Sequence, residues 1–338
     1  MEGIIPNFAL EKSGIKKIAV VTLSNIGDVI LTLPVIGALR ENFKDAAIDV
    51  VTGPRAAEIF RNDPRIGTTY IYDKSSSLAS KIQLFAFLRR NRYDLLVDLR
   101  NGLFGLLVRA RFCNRPSNAP AKKICHKIDE HLAKIEGLNL AARGGPYPIW
   151  VTADDGEMAA RLLGAKGISE GDLLVTVSPG AKSHIKRWRE DGFAKVCDAL
   201  IDAYKVKIAL VGDASDKEIC GRITDKMRNY AVSMAGMTNL RELACIIRRS
   251  LLIITNDSAP LHIAGSVGTA AVAIFGPTDY RKYGPRPGLG EAVHKKLHCS
   301  PCEKALCKYN LECMKAISAE EVFDAAKMIL DGRREKKI

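Results

Sequence analysis

The sequence predicts an α/β chain of two doubly wound domains that face each other across a cleft. Three observations carry the prediction. Apolar runs rich in Val and Ile alternate with helical patterns from end to end, as parallel sheets with helical crossovers require. The breaker-rich segment Gly144-Gly145-Pro146-Tyr147-Pro148 introduces a junction, and the alternation restarts after Asp154. The 338 residues, 47% hydrophobic, are enough to bury two cores.

In the first domain, strands are expected at Lys17 to Leu23, Ile48 to Thr52, Thr68 to Tyr72 and Leu95 to Asp98, with a helix from Asp28 to Asn42 after the first. In the second, strands are expected at Leu173 to Ser178, Val206 to Val211, Leu251 to Thr255 and Ala271 to Phe275. Helical patterns there cover Asp191 to Tyr204, Ser215 to Arg228 and Asn239 to Arg249. Ser318 to Arg333 reads as a closing helix, with Ser318 as N-cap and Glu320 and Glu321 in its first turn. The expected division is 1–165, 166–315, and a C-terminal helix and tail, 316–338, that packs back on the first domain.

Fifty-one basic and 38 acidic residues leave a net charge of +13, which favours an anionic partner: nucleic acid, a phosphorylated substrate or a membrane surface. With two tryptophans, 6% aromatics and no basic tail or reading motif, nucleic acid is not expected as a partner. One interval, Leu99 to Ile128, carries seven basic residues and no acid. It reads either as a solvated face or as an anion-binding surface. There is no run of 18 apolar residues, and the N-terminus lacks the layout of a signal peptide, so a cytoplasmic protein is expected. The nine cysteines, an odd number, suit a reducing compartment.

Ligands of doubly wound sheets bind at the carboxyl ends of the strands, so the loops there are where chemistry is expected. After the first strand comes Ser24-Asn25-Ile26-Gly27-Asp28, neither a dinucleotide fingerprint nor a Walker loop. Asp28 either stabilises a helix start or faces the cleft as a general base. In the second domain, Ser178-Pro179-Gly180-Ala181-Lys182-Ser183-His184-Ile185-Lys186-Arg187-Trp188 crowds cations into a glycine-bearing loop, where Lys186 can stabilise a leaving diphosphate. Gly212-Asp213-Ala214-Ser215-Asp216 offers carboxylates to ribose hydroxyls, or simply starts a helix. Asn256-Asp257-Ser258-Ala259-Pro260-Leu261-His262 leads from a strand into a helix. Its two readings are an ordinary N-cap by Ser258 or Asp257, and a phosphate site built from unpaired backbone N–H groups.

Four of these stretches, taken in order, carry a resemblance. Ser24 to Pro34, the Pro179 to Trp188 loop, Gly236-Met237-Thr238-Asn239-Leu240-Arg241-Glu242-Leu243, and Asn256 to His262 through Phe275-Gly276-Pro277-Thr278-Asp279 resemble family 9 glycosyltransferases, the lipopolysaccharide heptosyltransferases. The similarity runs from about Lys16 to Leu330. It implies a GT-B fold and inverting transfer of heptose from ADP-L-glycero-D-manno-heptose to a Kdo or heptose acceptor of the lipopolysaccharide inner core, without a required metal or cofactor. By the same resemblance Asp28 is the catalytic base and Lys186 the phosphate-binding lysine. Donor-binding positions are Ser178, Gly180, Lys182, Asp216, Met237, Asp257, Ser258, Ala259 and His262. Asn25, Arg100, Arg115, Lys122, Lys123 and Lys127 are the acceptor-side candidates. The expected partners are the ADP-sugar, a lipid A-linked oligosaccharide and the anionic inner face of the inner membrane, where a monomer would sit peripherally.

Ala259 stands where glycine is commoner in the family, and it can still present its backbone N–H unless positive φ is needed. Cys299, Cys302, Cys307 and Cys313 are spaced so that they could hold a structural zinc or an iron-sulfur cluster, or form a reduced or partly oxidised loop. The competing readings of the whole chain are a GT-B transferase using another nucleotide sugar for a cell-surface glycan, and an epimerase of similar architecture.

Overall fold

The computed structural model describes residues 14–114, 126–138, 140 and 147–335. The chain divides into two compact units, Met1–Trp150 and Val151–Ile338.

The first unit holds a parallel sheet of order β3-β2-β1-β4-β5, formed by β1 (Lys17–Val21), β2 (Ala47–Thr52), β3 (Thr69–Ile71), β4 (Leu95–Asp98) and β5 (Phe112–Cys113). Its helices are α1 (Ile26–Ile30), α2 (Leu33–Asn42), α3 (Leu78–Arg90), α4 (Phe104–Val108) and α5 (Lys127–Ala133). β4 and the last four residues of β1 are fully buried, as strands covered on both faces must be. The helix expected from Asp28 to Asn42 is two helices. Pro34 in the first turn of α2 lacks an N–H and cannot continue α1, and Thr32 Oγ1 donates to Val29 O at 2.6 Å where the chain turns.

The second unit is a six-stranded parallel sheet of order β11-β10-β9-β6-β7-β8. Its strands are β6 (Leu174–Ser178), β7 (Lys207–Leu210), β8 (Val232–Ser233), β9 (Leu252–Asn256), β10 (Ala270–Phe275) and β11 (Gly290–His294). Its helices are α6 (Ala153–Ala165), α7 (Glu190–Tyr204), α8 (Lys217–Lys226), α9 (Leu240–Arg249), α10 (Ala259–Val267), α11 (Tyr280–Tyr283), α12 (Glu312–Lys315) and α13 (Ala319–Glu335). In each unit the first strand lies between the second and the fourth. The topological switch point is therefore β1/β4 in one sheet and β6/β9 in the other, and the loops leaving these strands flank the crevices where ligands bind.

Two expectations about the division need correction. The boundary falls at Trp150, not at 165, because α6 belongs to the second unit: it packs on α9, and Asp155 makes a buried 3.2 Å ion pair with Arg241. The closing helix packs within its own unit. Val322, Ala325, Ala326 and Leu330 of α13 join the core beneath β6, β9 and β10, and the helix lies against α7. Ser318 and Glu321 cap that helix reciprocally, the Glu321 N–H to Ser318 Oγ at 3.2 Å and the Ser318 N–H to Glu321 Oε2 at 2.9 Å. Of the junction segment, Gly144 to Pro146 lie outside the described residues.

Candidate active site

In the second unit, the loops after β6 and β9 are tied together by a buried asparagine. Asn256 Nδ2 donates to Pro179 O at 2.7 Å, and its Oδ1 accepts the Trp188 N–H at 3.1 Å. Trp188 in turn is packed edge-on against Phe193 at 5.0 Å and donates its indole N–H to Ile317 O at 3.2 Å. The loop carrying Lys186 is thereby fixed beside the start of α10. Lys186 Nζ lies 2.6 Å from Asp257 Oδ2, and the Asp257 side chain is only 7% exposed.

The backbone at the start of α10 bears on the two readings of that corner. Ser258 occupies the N-cap position with extended backbone but makes no side-chain cap hydrogen bond. Its Oγ lies instead 3.3 Å from Thr255 Oγ1, and the Asp257 carboxylate faces Lys186. The expected capping by Ser258 or Asp257 is therefore not made. Ala259 opens the helix, so its N–H and its neighbours' point out of the first turn with a partial positive charge. Pro260 in that turn contributes no donor. Unpaired N–H groups with an ammonium beside them have the chemistry that suits an anion.

Asp216 sits at the ends of β6 and β7. A Cβ at Gly180 would lie 2.2 Å from Asp216 Oδ1, and one at Gly212 2.5 Å from Oδ2, so both glycines are needed for the carboxylate to fit. Asp216 Oδ2 accepts the Asp213 N–H at 3.0 Å, and burial pushes its carboxyl above the ordinary range. Ser178 is buried at the end of β6, Lys182 and Met237 are exposed, and His262 is half-buried within α10. Gly236, at φ +69°, lets the chain close over Ala214 before Met237.

In the first unit, Asp28 lies in the first turn of α1 and is half-buried; Asn25 Nδ2 donates to its Oδ2 at 2.9 Å. At the other side of the switch point, the Asp98 carboxylate receives the Arg100 and Gly102 N–H groups at 2.8 and 2.9 Å and shapes the loop after β4. Lys134 Nζ donates to Leu99 O at 2.6 Å, and burial lowers its pKa. His131 is 5% exposed, its Nδ1 has no partner, and burial followed by the Lys134 charge lowers its pKa to about 4, while Asp28 opposes that shift.

Of the acceptor-side candidates, Arg100 lies over the Tyr72 ring at 5.1 Å and Lys127 pairs with Glu130 at 2.5 Å. Arg115, Lys122 and Lys123 lie outside the described residues. Asn256, His131 and Lys134 were not expected. Asn256 stood inside the quoted motif, but its role depends on a partner 77 residues away.

Cys299, Cys302, Cys307 and Cys313 are free thiols. Burial and then the neighbouring Cys299 and Cys307 push the Cys313 thiol up, and Cys307 Sγ accepts the Tyr309 and Leu311 N–H groups at 3.4 and 3.3 Å. Among the described residues, no group of three or more His, Cys, Asp or Glu is arranged to hold a metal ion.

A family model described as glycosyltransferase family 9 (heptosyltransferase) matches residues 147–312. Lipopolysaccharide heptosyltransferase 3 of Escherichia coli is 32% identical over 279 residues, 75% of this chain and 80% of that protein. A solved family 9 glycosyltransferase from Veillonella parvula matches with a TM-score of 0.82 at 24% identity, over 93% of this chain and 97% of that one. The E. coli ADP-heptose lps heptosyltransferase II matches with a TM-score of 0.72 at 18% identity, over 94% and 99%. The two structures share the doubly wound α/β architecture of the GT-B fold. The chain therefore belongs to glycosyltransferase family 9, the heptosyltransferases, and is a glycosyltransferase.

Proposed function

We propose that the protein transfers heptose from ADP-L-glycero-D-manno-heptose to a Kdo or heptose residue of the lipopolysaccharide inner core, with inversion and without a metal. The observation that carries this reading is the uncapped first turn of α10 beside the Lys186–Asp257 pair, at the β6/β9 switch point. A diphosphate suits that turn, and the half-buried Asp216 suits ribose hydroxyls. The name of the E. coli relative of this fold, an ADP-heptose enzyme, supports the choice of donor.

In the reaction, an acceptor hydroxyl oxygen attacks the anomeric carbon on the face opposite the diphosphate. Asp28 takes the hydroxyl proton, the new C–O bond forms, and the bond from the anomeric carbon to the diphosphate oxygen breaks with both electrons going to ADP. The backbone N–H groups of α10 and the Lys186 ammonium stabilise the charge gathering on the leaving diphosphate. The acceptor is read as a lipid A-linked oligosaccharide met at an anionic membrane face, by a monomer that takes no nucleic acid.

The test is ADP release from ADP-heptose, followed with Kdo-lipid A and with a heptosylated acceptor. Turnover with one of them is expected. Turnover of a UDP-sugar in place of ADP-heptose would overturn the reading.

A further inference from the structure

We propose that the exposed face of α3 and α4 in the first unit is the surface by which the protein docks on an anionic lipid bilayer. This deepens the reading above, resting on it only in taking the acceptor to be lipid-linked. Large exposed hydrophobic side chains are concentrated here. Leu78 is 74% exposed and Ile82 60% on α3, while Leu103 is 68% and Leu106 73% exposed at α4. The inner side of α3 is already used: Leu88 is buried, and Phe85 packs on Phe104 of α4 with ring centroids 5.0 Å apart. At 100° per residue, Leu78, Ile82 and Arg89 fall within about 40° of one another on α3, flanking Phe85, and all three are exposed. The two helices pack against each other, so their outward leucines and isoleucine belong to one neighbourhood.

The charge around this apolar stripe is mostly positive. Between Asp73 and Asn114 the sequence has eight basic residues and three acids, Asp73, Asp94 and Asp98. Each acid already has partners within the unit: Asp73 Oδ1 accepts the Ser75 N–H and Oγ–H at 2.9 and 2.7 Å. Asp94 accepts the Lys16 and Lys17 N–H groups at 2.8 and 2.9 Å, and Asp98 is occupied by the loop after β4. Arg89, Arg90 and Arg109 are exposed. Aliphatic side chains that can enter the acyl boundary, set among an excess of cations, match an anionic bilayer surface. Phe87 is the one exposed aromatic on α3, at 53%, whereas a protein interface concentrates several and depletes charge at its centre. α4 also follows the loop that carries Arg100, so docking there would bring a membrane-anchored acceptor to the β4 side of the first switch point.

The experiment is flotation of the full chain with vesicles of phosphatidylcholine alone, or with one third phosphatidylglycerol, at low and high salt and with no saccharide or nucleotide present. The wild type should float with the anionic vesicles at low salt. The triple variant Leu78→Ser, Ile82→Ser, Leu106→Ser should bind about tenfold more weakly or worse. Arg89→Gln with Arg90→Gln should lose about fivefold per arginine at low salt and little at high salt. All five positions are exposed, and unchanged melting temperatures would verify the fold. Three results would overturn the proposal: a wild type that stays in the aqueous fraction, variants that float like the wild type, or a dimeric wild type that the triple variant converts to monomers, which would make this face a contact between copies. Because the vesicles carry no acceptor, flotation without heptosyl transfer would defeat only the functional reading, and transfer without flotation only the docking face.

Discussion

Lys186 and Asp257, 71 residues apart in the chain, meet at 2.6 Å between the loops that leave β6 and β9. The aspartate is nearly buried and the lysine about one third exposed, so the ammonium is held by one partner and still open to another. Lys186→Ala should lower kcat/KM about a hundredfold to a thousandfold, measured by ADP release. Asp257→Ala should cost a similar amount, and the double variant little more than either, because the two act as a unit. Additive losses would show that they act separately.

Asp28 is held from below by the Asn25 amide at 2.9 Å. Asp28→Asn should lower kcat about 10²- to 10⁴-fold while leaving the calorimetric Kd for ADP within about twofold. Asn25→Ala should fall between wild type and that variant, since it frees the carboxylate without removing it. Loss of ADP affinity at a normal maximal rate would contradict the role of base.

Gly180→Ala would place a carbon 2.2 Å from Asp216 Oδ1, so the carboxylate must move. We expect KM for the donor to rise about tenfold, in line with an overpacking cost of 1–3 kcal/mol, with kcat little changed. Gly171→Ala is the control, because a Cβ there has nothing within 4 Å.

His131 makes stability depend on pH. In the unfolded chain an imidazole binds its proton near its ordinary value of 6.5, whereas the buried side chain does so only near pH 4. Between these values the unfolded state holds more protons, so stability is complete above about pH 6.5 and falls as the pH drops toward 4, by roughly 3 kcal/mol. Urea denaturation of wild type and His131→Leu at neutral and acidic pH checks this. The variant should lose less stability on acidification, and parallel losses would refute the assignment.

Much of the fold was legible because buried parallel strands are written as continuous apolar runs. All eight expected strands are present within a residue or two of their expected ends. Phe112–Cys113 and Val232–Ser233 are two-residue edges without a run to read, and β11 is only partly buried. The unit boundary was misjudged because it depends on Asp155 finding Arg241 across the fold, which no local pattern encodes. The candidate site divides in the same way. Asp28, Lys186 and Asp257 stand in local motifs at strand ends, whereas the uncapped state of Ser258 follows from where Asp257 and Thr255 turn in three dimensions.

The chain has two tryptophans, one in each unit. Trp150 is half-buried, with the Arg65 guanidinium 5.2 Å from its ring, and Trp188 is 2% exposed, its backbone bonded to Asn256 and its indole N–H to Ile317 O just before the closing helix. Each half of the molecule therefore carries its own fluorophore in a different environment. With Trp150→Phe, the remaining emission comes from an indole whose backbone is bonded to Asn256, and the enzyme becomes its own optical reporter of events at the loops after β6 and β9.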